Sequence, residues 1–187
     1  MIVAVAPKAA AQSGVPEKAE YLLSAEWSVD VDADVDIWLI PPTRKPVFYG
    51  SRDVGCAKLD SDYRGFLDEW ITLADGSKVK VEAAKEIIAL RCIEPGRYDL
   101  GVNLYALRED GMVKVGALAG HGVKVHVEIL AVNPNVHVVF AKDVTLDRVG
   151  QTINVESFDL SHQGGIALAE PPLELVTANA YRTAGIQ

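Results

Sequence analysis

Two segments of this chain alternate apolar and polar residues with a period of two, and they set the expected architecture. In Asp34-Val35-Asp36-Ile37-Trp38-Leu39-Ile40, the residues Val35, Ile37 and Leu39 share one face. In Gly96 to Leu107, the residues Leu100, Val102, Leu104 and Ala106 do the same. Successive side chains of a strand point to opposite faces, so this pattern predicts two half-buried strands. The second is launched by Pro95-Gly96, a turn dipeptide. Neither segment carries an evident catalytic group, so the pattern speaks to fold before function.

The rest of the chain continues in the same vein. Leu23, Ala25 and Trp27 alternate with Ser24 and Glu26 and predict a first strand. Val47 to Tyr49, following Pro46, suits a short edge strand. Asp53 to Gly65 reads as a polar loop, and Asp68 to Leu73 as a strand with Ile71 and Leu73 inward. Ala74-Asp75-Gly76-Ser77 is a turn signal. Within Lys78 to Glu86, the stretch Val81 to Glu86 has the composition of a helical turn, and Ile87 to Ile93 is a strand again. Val123, Val125, Val127, Ile129 and Ala131 make a further stripe, which Asn133-Pro134-Asn135 turns back on itself. Val136 to Phe140 and Val144 to Leu146 return antiparallel, with a bulge between them, and Thr152 to Leu160 is the last strand of the body. Leu173 to Thr177 could add one strand in the tail.

Short strands with regularly spaced turns predict an all-β fold, an antiparallel β-sandwich of jelly-roll type with roughly eight to nine strands. The expected organisation is an N-terminal arm over 1–19, a sandwich domain over 20–160 and a C-terminal extension over 161–187. Within the arm, Ile2-Val3-Ala4-Val5 could join a neighbouring sheet as an added strand.

Charge narrows the partners. The 187 residues hold 26 acidic against 18 basic side chains, a net charge of -8. Phosphate binding rewards clustered Lys and Arg, and Arg44-Lys45 is the densest basic pair here, so neither nucleic acid nor an anionic membrane is an expected partner. No apolar run approaches the ~20 residues needed to span a bilayer. The apolar start at Met1 is stopped by Pro7-Lys8 and has no basic leader segment, which predicts a protein made in the cytoplasm.

The strand Asp34-Val35-Asp36-Ile37-Trp38 and the later Pro95-Gly96-Arg97-Tyr98-Asp99-Leu100-Gly101-Val102 resemble a loose group of bacterial and phage β-sandwich domains. The group includes DUF2135 and the pre-peptidase C-terminal domains. Their shared pattern is an Asp-x-Asp-Leu-Trp-like strand and a later Pro-Gly-x-Tyr-x-Val-x-Val strand. The hairpin from Val125 to Val139 is similar to uncharacterised proteins encoded by phages of alpha-proteobacteria. The likeness spans roughly residues 20 to 160 and rests on short motifs. It departs after the Asp-rich strand, where the group often has Pro-x-Gly and this chain has Pro41-Pro42-Thr43-Arg44-Lys45-Pro46. The resemblance implies a non-catalytic role as binding module, stabilising appendage or virion part.

Three sets of residues are candidates for chemistry. Asp30, Asp32, Asp34 and Asp36 recur at every second position, and within one strand they would share a face. Asp32, Asp34 and Asp36 are then a candidate calcium site, although calcium takes six to eight oxygens and a flat strand cannot wrap an ion. The competing reading is a loop followed by a strand with an acidic outer face. Cys56 and Cys92 allow free thiols, an intramolecular bridge, or an inter-subunit disulfide formed after assembly leaves the cell. Cys92 follows Ile88 and Leu90 at strand spacing, which predicts burial. His121, His126, His137 and His162 read as solvated rather than as zinc ligands.

No nucleophile elbow, zinc-protease, phosphate-loop or dinucleotide-binding pattern is present. Asp68 and Glu69 are adjacent and would point to opposite faces of a strand, so they cannot serve one substrate. The chain is therefore expected to be no enzyme and to need no cofactor, calcium apart. The leading expectation is a structural subunit of a phage-like particle, a decoration, collar, neck or tail-associated protein located in the virion. It would assemble through its arms with itself and other virion proteins. The alternative is a calcium-stabilised module that binds carbohydrate or polypeptide.

Overall fold

The computed structural model describes residues 18–64, 70–80, 84–109, 111–118 and 122–171. These form strands and loops, with no helix among them. The strands are β1 (Tyr21–Trp27), β2 (Ala33–Ile40), β3 (Asp53–Val54), β4 (Ala57–Ser61), β5 (Trp70–Thr72), β6 (Lys78–Lys80) and β7 (Ala84–Leu90). They continue as β8 (Gly96–Glu109), β9 (Met112–Val113), β10 (Val123–Ala131), β11 (His137–Leu146), β12 (Thr152–Leu160) and β13 (Ile166–Ala169). One sheet has the order β11-β10-β1-β7-β4-β3, and the other β13-β12-β8-β2, with β9 paired to β8. Their strand pairs are antiparallel. A separate hairpin joins β5 and β6.

The chain passes from one sheet to the other between β1 and β2, β2 and β3, β7 and β8, β9 and β10, and β11 and β12, and the inward stripes meet as one core. Leu23, Ala25, Ile88, Leu90, Val125, Val127 and Ile129 come from the first sheet, and Val35, Ile37, Leu39, Leu100, Val102 and Leu104 from the second. Each is essentially inaccessible to solvent. Tyr98 and Phe158 are register partners on β8 and β12 and stack inside, with ring centroids 5.0 Å apart. The Tyr98 hydroxyl donates to the Glu94 carbonyl at 2.8 Å, which satisfies its polar end.

The outer face of the second sheet is also covered. Trp38, on the opposite face of β2 from Val35, Ile37 and Leu39, stacks on Phe48 at 4.1 Å. Phe48 belongs to the loop after Pro41, which folds back through the Leu39–Val47 bridge. The loop also sends Arg44, in the left-handed backbone region with φ 61, to Asp99. Pro95-Gly96 opens β8 as expected. Gly96 has φ +131, and a Cβ there would lie 3.0 Å from the Pro42 side chain, so the turn demands glycine on both counts.

Several expectations need correction. The polar segment after Asp53 contributes β3 and β4, which extend the first sheet; its alternation is too short to stand out. The helical composition of Val81 to Glu86 gives way at Ala84, where β7 begins, because β7 lies between β1 and β4 and packing overrides propensity. Leu73 is 45% exposed rather than inward. Val47 to Tyr49 makes isolated bridges instead of a strand. β13 was not anticipated. Residues 1–17 of the arm, the Val81 to Ala83 part of the helical segment, Asp68, Glu69, His121 and the tail strand at Leu173 lie outside the described residues. Among the described residues no helix is long and apolar enough to cross a membrane.

Candidate functional site

The acidic run of β2 resolves into separate fates. Asp30 is exposed, its backbone N–H taking the Ser28 hydroxyl at 3.2 Å. Asp32 precedes the strand, and its carbonyl accepts from the Arg108 amide at 2.8 Å. Only Asp34 and Asp36 lie on β2, half-buried and buried respectively. The four aspartates therefore do not form one strand face, because the strand starts at Ala33.

A third carboxylate joins Asp34 and Asp36 from the opposite sheet. Glu86 follows Ala84 and precedes Ile88 and Leu90 on the inward side of β7, and it is 1% exposed. β2 ends its sheet, and along its free edge the Leu39 N–H bonds the Val47 carbonyl at 3.1 Å. The Ile37 N–H turns instead to Glu86 Oε2 at 2.6 Å. The carboxylate oxygens of Asp34, Asp36 and Glu86 come within 4.8 Å of one another, the grouping among the described residues with the span of a metal site. Asp32, expected as the third ligand, is outside it, and Glu86 takes its place.

Electrostatics at Glu86 are severe. Burial, reinforced by the Asp36 carboxylate, pushes its carboxyl up to about 10. The Ile37 amide pulls the other way, and Asp62, within hydrogen-bonding reach, adds to the rise. Asp62 itself pairs with Arg52 at 2.8 Å. Glu86 Oε1 is buried and receives no hydrogen bond from the described residues.

Cys56 and Cys92 are joined to each other, with Cα atoms 5.1 Å apart. This corrects both the expectation of free thiols and that of an inter-subunit latch: each sulfur already has its partner within the chain. Cys92 is exposed rather than buried, because β7 ends at Leu90 and the strand parity stops there. The Arg91 N–H bonds to the Cys56 carbonyl at 2.8 Å, which brings the two cysteines side by side.

The histidines do not converge. His126 is the register partner of Asp143 on β11 and lies 2.6 Å from it on an exposed face. His137 is opposite Ala131 and contacts the Asn135 carbonyl. An open hollow of about 970 Å³, lined by Asp32, Arg108, Leu118, Lys124 and Asp147 among others, does not include the carboxylate trio. A second buried polar group sits under the Pro41 loop, where Asp99 accepts from Ser157 Oγ at 2.7 Å, Arg44 at 2.9 Å and Arg97 at 3.2 Å.

Comparison with family models, with characterised proteins and with solved structures found no match for this chain.

Glu86 is the site residue that sequence reasoning missed. Its signal is a lone acidic residue at an inward position of an apolar stripe, visible only once the segment is read as a strand.

Proposed function

We propose that this protein is a non-enzymatic structural subunit of a phage-like particle that assembles with copies of itself and with other particle proteins by strand addition. The observation that carries the reading is the outer edge of β11. It ends the six-stranded sheet, and among the described residues no strand pairs beyond it. Its first residues turn apolar side chains outward: Val136, just before the strand, is 71% exposed and Val138 is 53% exposed. Exposed apolar edges invite pairing with another chain unless charge or a bulge blocks them; β11 has its bulge at Val139 and carries Lys142 and Asp143 beyond it, so the stretch offered for pairing is its start, up to Val138.

The chain reaches β1 at the same end of the molecule. Asn133, in the turn before β11, donates to the Ala19 carbonyl and to Glu20 Oε2. Ala19 and Glu20, near the start of the described residues, thus lie close to the turn that opens β11. An arm from one copy meeting this edge of the next is the simplest geometry that uses both. The Cys56–Cys92 bridge suits a location outside the reducing cytosol, as in a released virion. The net charge of -8 supports protein rather than nucleic acid partners.

Light scattering on the full chain tests this. A multimer at micromolar concentration is expected. Val138→Lys should return the mass to the 20.2 kDa of one chain, and removal of residues 1–14 to that of one shortened chain, each with an unchanged circular dichroism spectrum. A full-length monomer, or a multimer indifferent to both changes, would overturn the strand-addition reading.

A further inference from the structure

Two oxygens on opposite sides of a calcium ion bonded at 2.3–2.6 Å are about 4.6–5.2 Å apart. One carboxylate oxygen from each of Asp34, Asp36 and Glu86 lies within 4.8 Å of the other two, so the three have the span of a single ion. Proximity of acidic groups is ordinary on protein surfaces and would carry nothing alone. What distinguishes this trio is Glu86 Oε1. It belongs to a residue 1% exposed, projecting from the inward side of β7, and no described residue donates to it. Its partner oxygen is held by the Ile37 amide at 2.6 Å, which fixes the carboxyl beside β2. A buried carboxylate oxygen with no donor is costly. A proton shared with Asp62, a buried water or a cation would satisfy it.

We propose that Asp34, Asp36 and Glu86 form a binding site for a hard divalent cation, with calcium the best fit. The donor set is all oxygen, which suits calcium, magnesium or manganese rather than zinc or copper. Calcium is favoured because it accepts six to eight oxygens in flexible geometry, whereas magnesium demands a tight octahedron and keeps several waters. A flat strand cannot wrap an ion. Here the wrapping is tertiary: β2 supplies two carboxylates and β7 a third. The bound ion would tie the terminal strand of one sheet to the middle of the other, a clamp across the sandwich.

The full chain, stripped with EDTA and exchanged into buffer, is titrated with CaCl2 by calorimetry. One Ca²⁺ per chain is expected, with Kd on the order of 10⁻⁴ M, together with a rise in melting midpoint at millimolar CaCl2. MgCl2 should bind more weakly. Glu86→Gln keeps a hydrogen-bonding side chain of the same shape. It should melt at or above the metal-free wild type yet lose the calcium-induced rise. Asp34→Asn, at a half-buried position, should weaken binding at least tenfold and serves if Glu86→Gln does not fold. Absence of heat and of any melting shift with CaCl2, MgCl2 and MnCl2 would assign the trio to a shared proton and overturn the proposal. So would Glu86→Gln binding calcium as the wild type does. The stoichiometry is counted per chain, so this result is independent of whether the chain self-associates.

Discussion

Asp99 is 3% exposed, yet it is a carboxylate held by three donors, on Ser157, Arg44 and Arg97. Burial acts to raise its pKa, but the three hydrogen bonds and the nearby Arg44 charge outweigh burial and hold it below the ordinary 3.8. The folded state therefore binds this proton more weakly than the unfolded chain. The resulting stability is present above the unfolded pKa of about 3.9 and is lost as pH falls through the lower folded value. Asp99→Ala strands the buried Ser157 hydroxyl and removes the tether of the Pro41 loop, at a cost of about 2–3 kcal/mol near neutral pH. Urea unfolding at pH 7 measures that cost on Asp99→Ala, and repeating it below pH 3 checks the pH dependence: the gap between wild type and Asp99→Asn should shrink at the acid end. Nothing in the chain's pattern marked this residue. Asp99 alternates with apolar neighbours and reads as solvated; the folded loop over the outer face is what buries it.

At the scale of elements, the disulfide links the turn before β4 to the residues just after β7. β4 sits near the margin of the first sheet, with only the two-residue β3 beyond it. The bridge spans 36 positions, and closing a loop of that size is worth about 3–4 kcal/mol in the chain-entropy view. Cys92→Ser should lower the urea midpoint accordingly, and reductant should lower that of the wild type but leave the variant unchanged. Two free thiols in the unreduced, denatured wild type would refute the pairing. Strands with long alternation were legible in sequence: Val123 to Ala131 and Thr152 to Leu160 coincide with β10 and β12. The short strands β3, β4 and β13 were not, because a few residues of alternation cannot be told from a polar loop. β11 was read in two pieces. It is one strand with a register shift opposite Ile129 and Leu130, the bulge its sequence hinted at.

For the whole molecule, the intramolecular bridge separates stability from assembly. Native mass by light scattering should be the same with and without reductant, since no sulfur is left to join subunits. A multimer that dissociates on reduction would reinstate the inter-subunit latch. The proposed assembly depends instead on backbone pairing at β11, so charge placed at Val138 should act where reductant does not.

The sequence by itself determined the fold class, the long strands, the inward stripes and the glycine at the Pro95-Gly96 turn. These follow from period-two alternation and backbone sterics, which are local. Tertiary structure decided everything that depends on which strands become neighbours. It paired Cys56 with Cys92, buried Trp38 beneath Phe48 and surrounded Asp99 with donors. It set Glu86 against Asp34 and Asp36 in place of Asp32. Those contacts join residues 36 to 58 positions apart in several cases, and alternation records which face a side chain takes but not what lies across from it.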